Sequence, residues 1–430
     1  MHLIKKRDTQ DFNFKIIVCS IIIIMIGQIS YMKSSNILVI VAFFVAAFFS
    51  SIISRKDLLP LMLCILPANR LLTYGPISAP TIIMLVALFR NIRSLLHISK
   101  HIFIFSSFLI GYSILSIFNE EYVFLDSIKV IVLLLFIYKS VDLKDIKVSY
   151  YKYTVFCAIG CLLTSMIALV LNPSSIFESS RFTFSKNGEN VLGIICAVMA
   201  INLLVILLEK KITNRFMIKV LTVLLVGIGF MTGSRSFMLA LTIGIIGIVI
   251  MLILHLQMGR LLKIIIFVFV AFIGAFILIK TSDFVNSYWN SIMYRITKLQ
   301  SVDVSNGRYE IWKEYFDAFE KNPKYLWFGG LAVGTNGIQL VAHNMIIEQI
   351  AAYGIVGSVI LIPLYFTVFK RIAYESASKC VWHSYKIVPL VVLFVASMVS
   401  HTLLGVPQTM MLFICFLAVL DNSYKKDMEV

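Results

Sequence analysis

Residues 232–280 read TGSRSFMLALTIGIIGIVIMLILHLQMGRLLKIIIFVFVAFIGAFILIK. Two apolar runs, Phe237 to Leu254 and Leu261 to Ile279, are joined by a short turn that carries Arg260, with Lys263 just beyond it. Each run approaches the ~20 apolar residues that an α-helix needs to cross a hydrocarbon core ~30 Å thick. The stretch therefore predicts two antiparallel transmembrane helices with a basic turn at one end and Arg235 at the other.

The same pattern extends through all 430 residues, 60% of which are hydrophobic and 14% charged, at a mean hydropathy of +0.93. Fourteen apolar runs can be marked. The first six are Phe14 to Tyr31, Asn36 to Ile53, Leu58 to Leu72, Ile77 to Ser94, His101 to Phe118 and Phe124 to Tyr138. Tyr153 to Leu171, Asn190 to Leu208, Phe216 to Met231 and the two quoted runs follow, and then Asn344 to Phe369, Tyr385 to Ser400 and Leu404 to Leu420. Pro60 and Pro67 interrupt the third run, which makes it the weakest. The expected fold is an all-α integral membrane protein of 12–14 transmembrane helices, with one long outer loop at 281–342. No 20–50-residue repeat and no low-complexity tract divides the chain, so residues 1–430 are expected to form a single integral membrane domain. The first run lacks a small-residue cleavage site and is read as a retained helix.

A net charge of +16 would suggest nucleic acid in a soluble protein. Here the sorting of the charges matters more. With the N-terminus inside, alternate loops collect 25 of the 38 Lys and Arg; the opposite side holds 12, seven of them from Lys280 to Lys324, and Lys129 lies within a run. This asymmetry predicts cytoplasmic termini and an even number of spans. Six of the seven cysteines lie in apolar runs without metal-ligand spacing, and Cys157 and Cys161 read as small residues at a helix contact.

The polar residues left for chemistry gather on the predicted outer side. In the long break, Asn306 is expected to cap a helix near 307–321 that carries an aromatic stripe at Tyr309, Trp312, Phe316 and Phe319 and is stopped by Asn322-Pro323. Gly329, Gly330, Gly334 and Gly337 suggest a flexible approach to His343. Arg235 and Arg308 each open a helix, where the macrodipole is positive and a cation is disfavoured by ~0.3–1 kcal/mol. Either a bound anion compensates, as phosphate oxygens would, or the side chain snorkels to lipid headgroups. Arg181 and Arg70 are further outer arginines for which a solvated loop charge is the simpler reading. His343 and His401 are the histidines at this boundary, and His343, directly after the glycine-rich approach, is the better general-base candidate. Asn344 and Glu348 are four apart on one face, so Glu348 is expected to meet Asn344.

In order along the chain stand Thr232-Gly-Ser-Arg235-Ser, Ser305-Asn-Gly-Arg308-Tyr-Glu-Ile-Trp312, Asn322-Pro323, Gly329-Gly330, His343-Asn344 and Gly354-Ile-Val-Gly357. With a long loop between the second and fifth groups, this resembles the bacterial O-antigen polymerase and O-antigen ligase superfamily. The resemblance covers the chain from Arg181 onward. It implies a GT-C-type bundle and a glycosyltransferase using undecaprenyl diphosphate-linked oligosaccharide at the outer face of the bacterial inner membrane, with no metal and no cofactor. It further implies that Arg235, Arg308 and, from a less regular basic loop, Arg181 hold the diphosphate, that His343 is the base, and that Asn344, Glu348 and Arg70 support them. Membrane lipid and a chain-length regulator protein are the implied partners, and nucleic acid is not. The motifs are shared by polymerases and ligases, with the polymerase the closer likeness. A flippase or transporter is the rival class. It would show ionisable pairs deep in the membrane, whereas the ionisable residues here, Asp126 and Lys129 among them, fall near the ends of their runs.

The charge sorting makes a direct prediction. In a cysteine-free background, Ser301→Cys is expected to react with an impermeant thiol reagent in intact cells. Protection of that position would reverse the assigned sidedness.

Overall fold

In the computed structural model, the described residues are 14–75, 77–95, 98–117, 123–140, 146–173, 188–209, 214–282, 307–331, 338, 340–375, 384–398 and 405–420, with isolated positions at 286, 289, 290 and 293. Helices α1 (Phe14–Met32), α2 (Asn36–Ile52) and α3 (Leu58–Ile65) lead to a two-residue hairpin of β1 (Thr73–Tyr74) and β2 (Ile77–Ser78), which pairs Thr73 with Ser78. Then come α4 (Ala79–Arg90), α5 (Ile92–Leu95), α6 (Lys100–Ile117), α7 (Val123–Ser140), α8 (Ile146–Leu171), α9 (Glu189–Leu207), α10 (Arg215–Met231), α11 (Arg235–Leu254) and α12 (Met258–Thr281). After the break follow α13 (Arg308–Lys321), α14 (Pro323–Phe328), α15 (Met345–Glu375), α16 (Val388–Met398) and α17 (Val406–Leu420).

A helical segment coincides with each of the fourteen apolar runs, and among the described residues this membrane protein is all-α apart from the small hairpin. Length is less uniform than expected. Among the described residues five helices are long and apolar enough to cross a membrane: α1, the Val148–Leu171 part of α8, α9, α11 and α15. The third run departs most. Pro67 cannot donate to an α-helical ladder, so α3 stops after eight residues and a 3-10 turn, Leu66–Ala68, takes over, with every residue of both segments buried. Its backbone lies directly on α8: a Cβ on Gly160 would come within 2.1 Å of the Cys64 carbonyl oxygen. Central α9 is buried along nearly its whole length, because its apolar residues surround the axis instead of forming one stripe.

One end of the bundle is fastened by cations that find oxygens. Arg90 Nη1 donates to the Ser50 and Ile53 carbonyls at the end of α2, 2.6 and 2.7 Å away. Lys152 meets Asp57 at 2.7 Å, and buried Lys386 meets Glu209 at 3.2 Å. These residues belong to the loops expected to be cytoplasmic, so the same charges that bias orientation also tie helix ends together. Breaking such a buried pair by removing one partner leaves an uncompensated charge, at a cost of ~3–5 kcal/mol.

At the opposite end α15 is broken. Gly354 has φ 65° and ψ −179°, a conformation essentially confined to glycine, and the helix changes direction there. The Ala351 and Ala352 carbonyls released by the break accept from Leu331 N (2.9 Å) and Gly330 N (3.2 Å). Gly329, itself at φ 72°, packs against Gly354 backbone to backbone: a Cβ on either would lie within 2.6 Å of the other's main chain. Tyr112 of α6 seals the crossing by sharing its hydroxyl proton between the Phe328 and Tyr353 carbonyls, the latter 2.6 Å away. The nearby Gly357 leaves room for the Tyr112 ring. The expectation of flexible glycines is therefore corrected for Gly329 and Gly330, which are fixed by hydrogen bonds; Gly334 and Gly337 lie outside the described residues.

Gly354→Ala is expected to lower the melting temperature in detergent markedly, since a strained backbone costs ~1–3 kcal/mol before the clash with the Trp327 carbonyl is counted. Gly227→Ala, where a Cβ meets no atom within 4 Å, serves as the control and is expected to leave it unchanged within ~0.5 kcal/mol. Equal melting of the two variants would refute the anchoring role of the crossing.

Candidate functional site

The Thr232-Gly-Ser turn is a tight helix-to-helix link. Thr232 Oγ1 donates to the Gly229 carbonyl at 2.7 Å and accepts from Ser234 N, Gly233 takes φ 57°, and the Ser234 side chain caps α11 by accepting from Phe237 N. The turn sits against Gly193 of α9, where a Cβ would come within 2.9 Å of both Thr232 and Ser234. Arg235 is thereby held at the first position of α11, exposed, where the helix dipole is positive.

Arg308 occupies the same position on α13. The residue before the helix is Gly307, in the left-handed region at φ 75°, which has no side chain with which to cap it; Asn306, the expected cap, lies outside the described residues. Burial lowers the pKa of Arg308 from its ordinary value, and the like charge of Arg235 lowers it further. The two guanidiniums are thus close enough to repel. Two cations thus act on each other at the starts of two helices, where the dipoles are positive, with Arg308 half-buried and Arg235 exposed.

Helix α13 docks on the start of α15 through a small core of Ile311, Tyr315, Ala318, Phe319, Leu331, Ile338, Ala342, Ile347 and Ala351. The expected aromatic stripe is thus rotated: Phe319 is buried and Trp312 half-buried, whereas Tyr309 and Phe316 are 69% and 58% exposed. The reason is that Ile311, Tyr315 and Ala318 offer a competing apolar face that fits the loop. Trp312 Nε1 donates to the Ala342 carbonyl at 2.8 Å and the Tyr315 hydroxyl to Leu340 at 3.2 Å. Burial, with the nearby Glu348 charge, pushes the Tyr315 pKa up to about 12, so it remains a donor at neutral pH.

His343 follows in a left-handed conformation, φ 52°, uncommon for a non-glycine residue and costing ~1–3 kcal/mol. Its neighbours hold it there. Asn344 Oδ1 caps α15 by accepting from Ile346 N (3.0 Å) and Ile347 N (3.2 Å), while Glu348 turns back and accepts from His343 N at 2.9 Å. The expected Glu348 to Asn344 contact is therefore corrected: Glu348 orients the His343 backbone in a capping-box-like arrangement.

A cavity of about 410 Å³ opens at this end, lined in part by Asn69, Arg70, Asp126, Lys129, Val191, Val341, Glu348, Tyr353 and Gln408. Arg235, Arg308 and His343 are not in its wall, but Val341 and Glu348 flank His343, and Val191 is two residues from the Gly193 contact with Ser234. Sequence reasoning did not assign Asp126 and Lys129 to the site, although their spacing of three on one helix face was the available signal; they form a 2.6 Å ion pair. Arg181 and His401 lie outside the described residues.

This defines a predominantly helical membrane protein with cations, a strained histidine and a cavity that carries some charged residues gathered at one end. A protein-family model described as O-antigen ligase matches residues 220–362, which hold Arg235, Arg308 and His343. The similarity to that family is confined to these residues, a minority of the chain. A search of curated proteins found no match.

Asn344→Ala is expected to destabilise the folded protein by ~1 kcal/mol through loss of the cap. Glu348→Leu is expected to cost ~1–3 kcal/mol by stranding the His343 N–H. Both are read from thermal unfolding in detergent, and a neutral Glu348→Leu would remove the case for its hold on His343.

Proposed function

We propose that the protein is a metal-independent membrane glycosyltransferase of GT-C type that acts on undecaprenyl diphosphate-linked glycans at the outer face of the inner membrane. Within that class we assign it as a polymerase, transferring a growing lipid-linked chain onto a lipid-linked repeat unit. The observation that carries the reading is the pair Arg235 and Arg308, two mutually repelling guanidiniums at two helix starts, joined through Trp312 and Ala342 to the constrained turn at His343.

In the proposed reaction a hydroxyl oxygen of the acceptor sugar attacks the anomeric carbon of the donor. The bond from that carbon to the diphosphate oxygen breaks, and the hydroxyl proton passes to His343. Negative charge gathers on the departing diphosphate, where Arg235 and Arg308 stabilise it most as the bond breaks. Guanidinium forks match the phosphate oxygens in a way that an ammonium does not. Arg181 is assigned to the same anionic substrate by resemblance, and Asn344, Glu348 and Arg70 are assigned supporting positions. A chain-length regulator protein is the proposed partner.

Arg235→Lys and Arg308→Lys are each expected to remain strongly impaired in polymer formation. His343→Asn keeps a residue that tolerates the left-handed conformation while removing the base, and is expected to lower turnover by ~10²-fold or more with the protein still folded. Normal chain formation by His343→Asn at native expression would sink the base assignment. Deleting the gene is expected to leave single repeat units at the cell surface. Long chains stranded on the carrier would instead identify a ligase, which moves a finished glycan to lipid A core or another acceptor.

A further inference from the structure

Helix α14 sits lower in the bundle than its place in a long outer loop implies. Its last carbonyl, on Phe328, accepts from Tyr112 of α6, and the next residue, Gly329, lies against Gly354 of α15. Both partner helices carry an exposed lysine at the end far from His343, Lys100 on α6 and Lys370 on α15. Twelve residues separate Lys100 from Tyr112 and sixteen separate Gly354 from Lys370. At ~1.5 Å per residue the crossing is ~18 Å and ~24 Å along the two helices from those lysines, whose ammonium groups stay at the edge of the hydrocarbon or beyond it. The hydrocarbon core is ~30 Å thick, and tilt only lowers the height of the crossing. The end of α14 is therefore inside the core. Irregular main chain at that depth must be repaired by protein, as it is here by the bonds from Gly330 N, Leu331 N and the Tyr112 hydroxyl.

The exposed side chains match that depth. Trp327 and Phe328 are each about half exposed among the described residues. The helices that hold them expose apolar residues too, Phe108 and Ile114 on α6 and Val359, Ile362 and Phe366 at helical spacing on α15. Helix α13 packs with Ile347 and Ala351, which are at most ~35 Å and ~29 Å along α15 from Lys370, so it lies about the outer edge of the core. Around its axis it has three sectors instead of two. Ile311, Tyr315, Ala318 and Phe319 face the protein. Glu310, Lys313, Glu314, Asp317, Glu320 and Lys321 occupy the opposite side. Between them runs an aromatic shoulder of Trp312, Phe316 and Tyr309, of which Phe316 and Tyr309 are exposed. A helix with one face on protein, one charged and an aromatic edge between them suits the boundary between lipid and water.

We propose that α13 and α14 form a bilayer anchor, a hairpin seated in the leaflet at the His343 end and not a loop in water. Trp327 and Phe328 lie among the acyl chains, Tyr309 and Phe316 rest at the headgroup boundary, and the charged sector of α13 faces solvent. The partner is the acyl region of bulk lipid, in continuity with the apolar surfaces of α6 and α15. The anchor fixes Arg308, the first residue of α13, at the level of the lipid phosphates. It does not depend on the glycosyltransferase reading, because it is argued from depth and side-chain exposure alone.

The test uses the full-length protein in lipid nanodiscs. A nitroxide is attached in turn at Trp327→Cys, Phe328→Cys, Phe316→Cys and Lys313→Cys, in a Cys380→Ser background whose six remaining cysteines are buried. Collisions with molecular oxygen, which concentrates among acyl chains, are compared with collisions with a water-soluble nickel chelate. Oxygen is expected to dominate at Trp327→Cys and Phe328→Cys and nickel at Lys313→Cys, with Phe316→Cys between them. Nickel dominance at Trp327→Cys or Phe328→Cys puts α14 in water and overturns the anchor. Protection of those two positions from both reagents means that protein covers them, a second copy included, and overturns it equally. A measurement without new cysteines guards against variants that fail to fold. Lipids brominated along their acyl chains are expected to quench part of the native tryptophan emission, and the quenched fraction is expected to fall in Trp327→Phe. An unchanged quenched fraction in Trp327→Phe also overturns the proposal.

Discussion

The contact between Gly329 and Gly354 governs the geometry of the His343 end. A helix inside a membrane cannot leave carbonyls unsatisfied, because hydrocarbon offers no donor and each orphan costs several kcal/mol. Gly354 nevertheless breaks α15, and the released Ala351 and Ala352 carbonyls are recovered by the N–H groups of Leu331 and Gly330. That repair works only if two backbones approach within a distance no side chain would permit, which is why glycine stands on both sides of the crossing. The loop is thus tied to the broken helix through its main chain. Residues 340–348 are held between that tie and the first turn of α15.

From there the arrangement propagates outward. With α14 fixed on α15, α13 can close its small core over the helix start, and Trp312 and Tyr315 reach the carbonyls of Ala342 and Leu340. Glu348 and Asn344 restrain the other side of His343. A non-glycine residue at φ 52° persists because groups on both flanks over-determine it. Arg308, at the first position of the same α13, is set against Arg235 by this docking, and their repulsion is therefore a product of the packing.

Much of this was legible in the sequence, and the exceptions are physical. Apolar runs of the right length mark where helices form, since hydropathy outweighs local propensity in a bilayer, and each run does coincide with a helical segment. Run length does not report where Pro67 turns α3 into a 3-10 segment, nor that α16 spans only eleven residues. The amphipathic helix was visible through its period and its Asn322-Pro323 stop, but its facing was not: Tyr309, Trp312, Phe316 and Phe319 form one stripe and Ile311, Tyr315 and Ala318 another, and only tertiary packing chooses. Glycine composition was misleading for a similar reason. Glycine serves equally for freedom and for close approach, and the partner that decides between them is 25 residues away at Gly354. The arginines and His343 stood out because each is expensive where it lies.

The two ends of the bundle use charge in opposite ways. At one, Lys152, Lys386 and Arg90 each meet an oxygen of the fold, so those cations are consumed by structure. At the other, the charge acting on Arg308 is another cation, and the dipoles of two helices add to the same sign. A few residues away the cavity wall balances its cations with Asp126 and Glu348. On the reading proposed above, a diphosphate answers the arginine pair, while the cavity wall already balances its own charges.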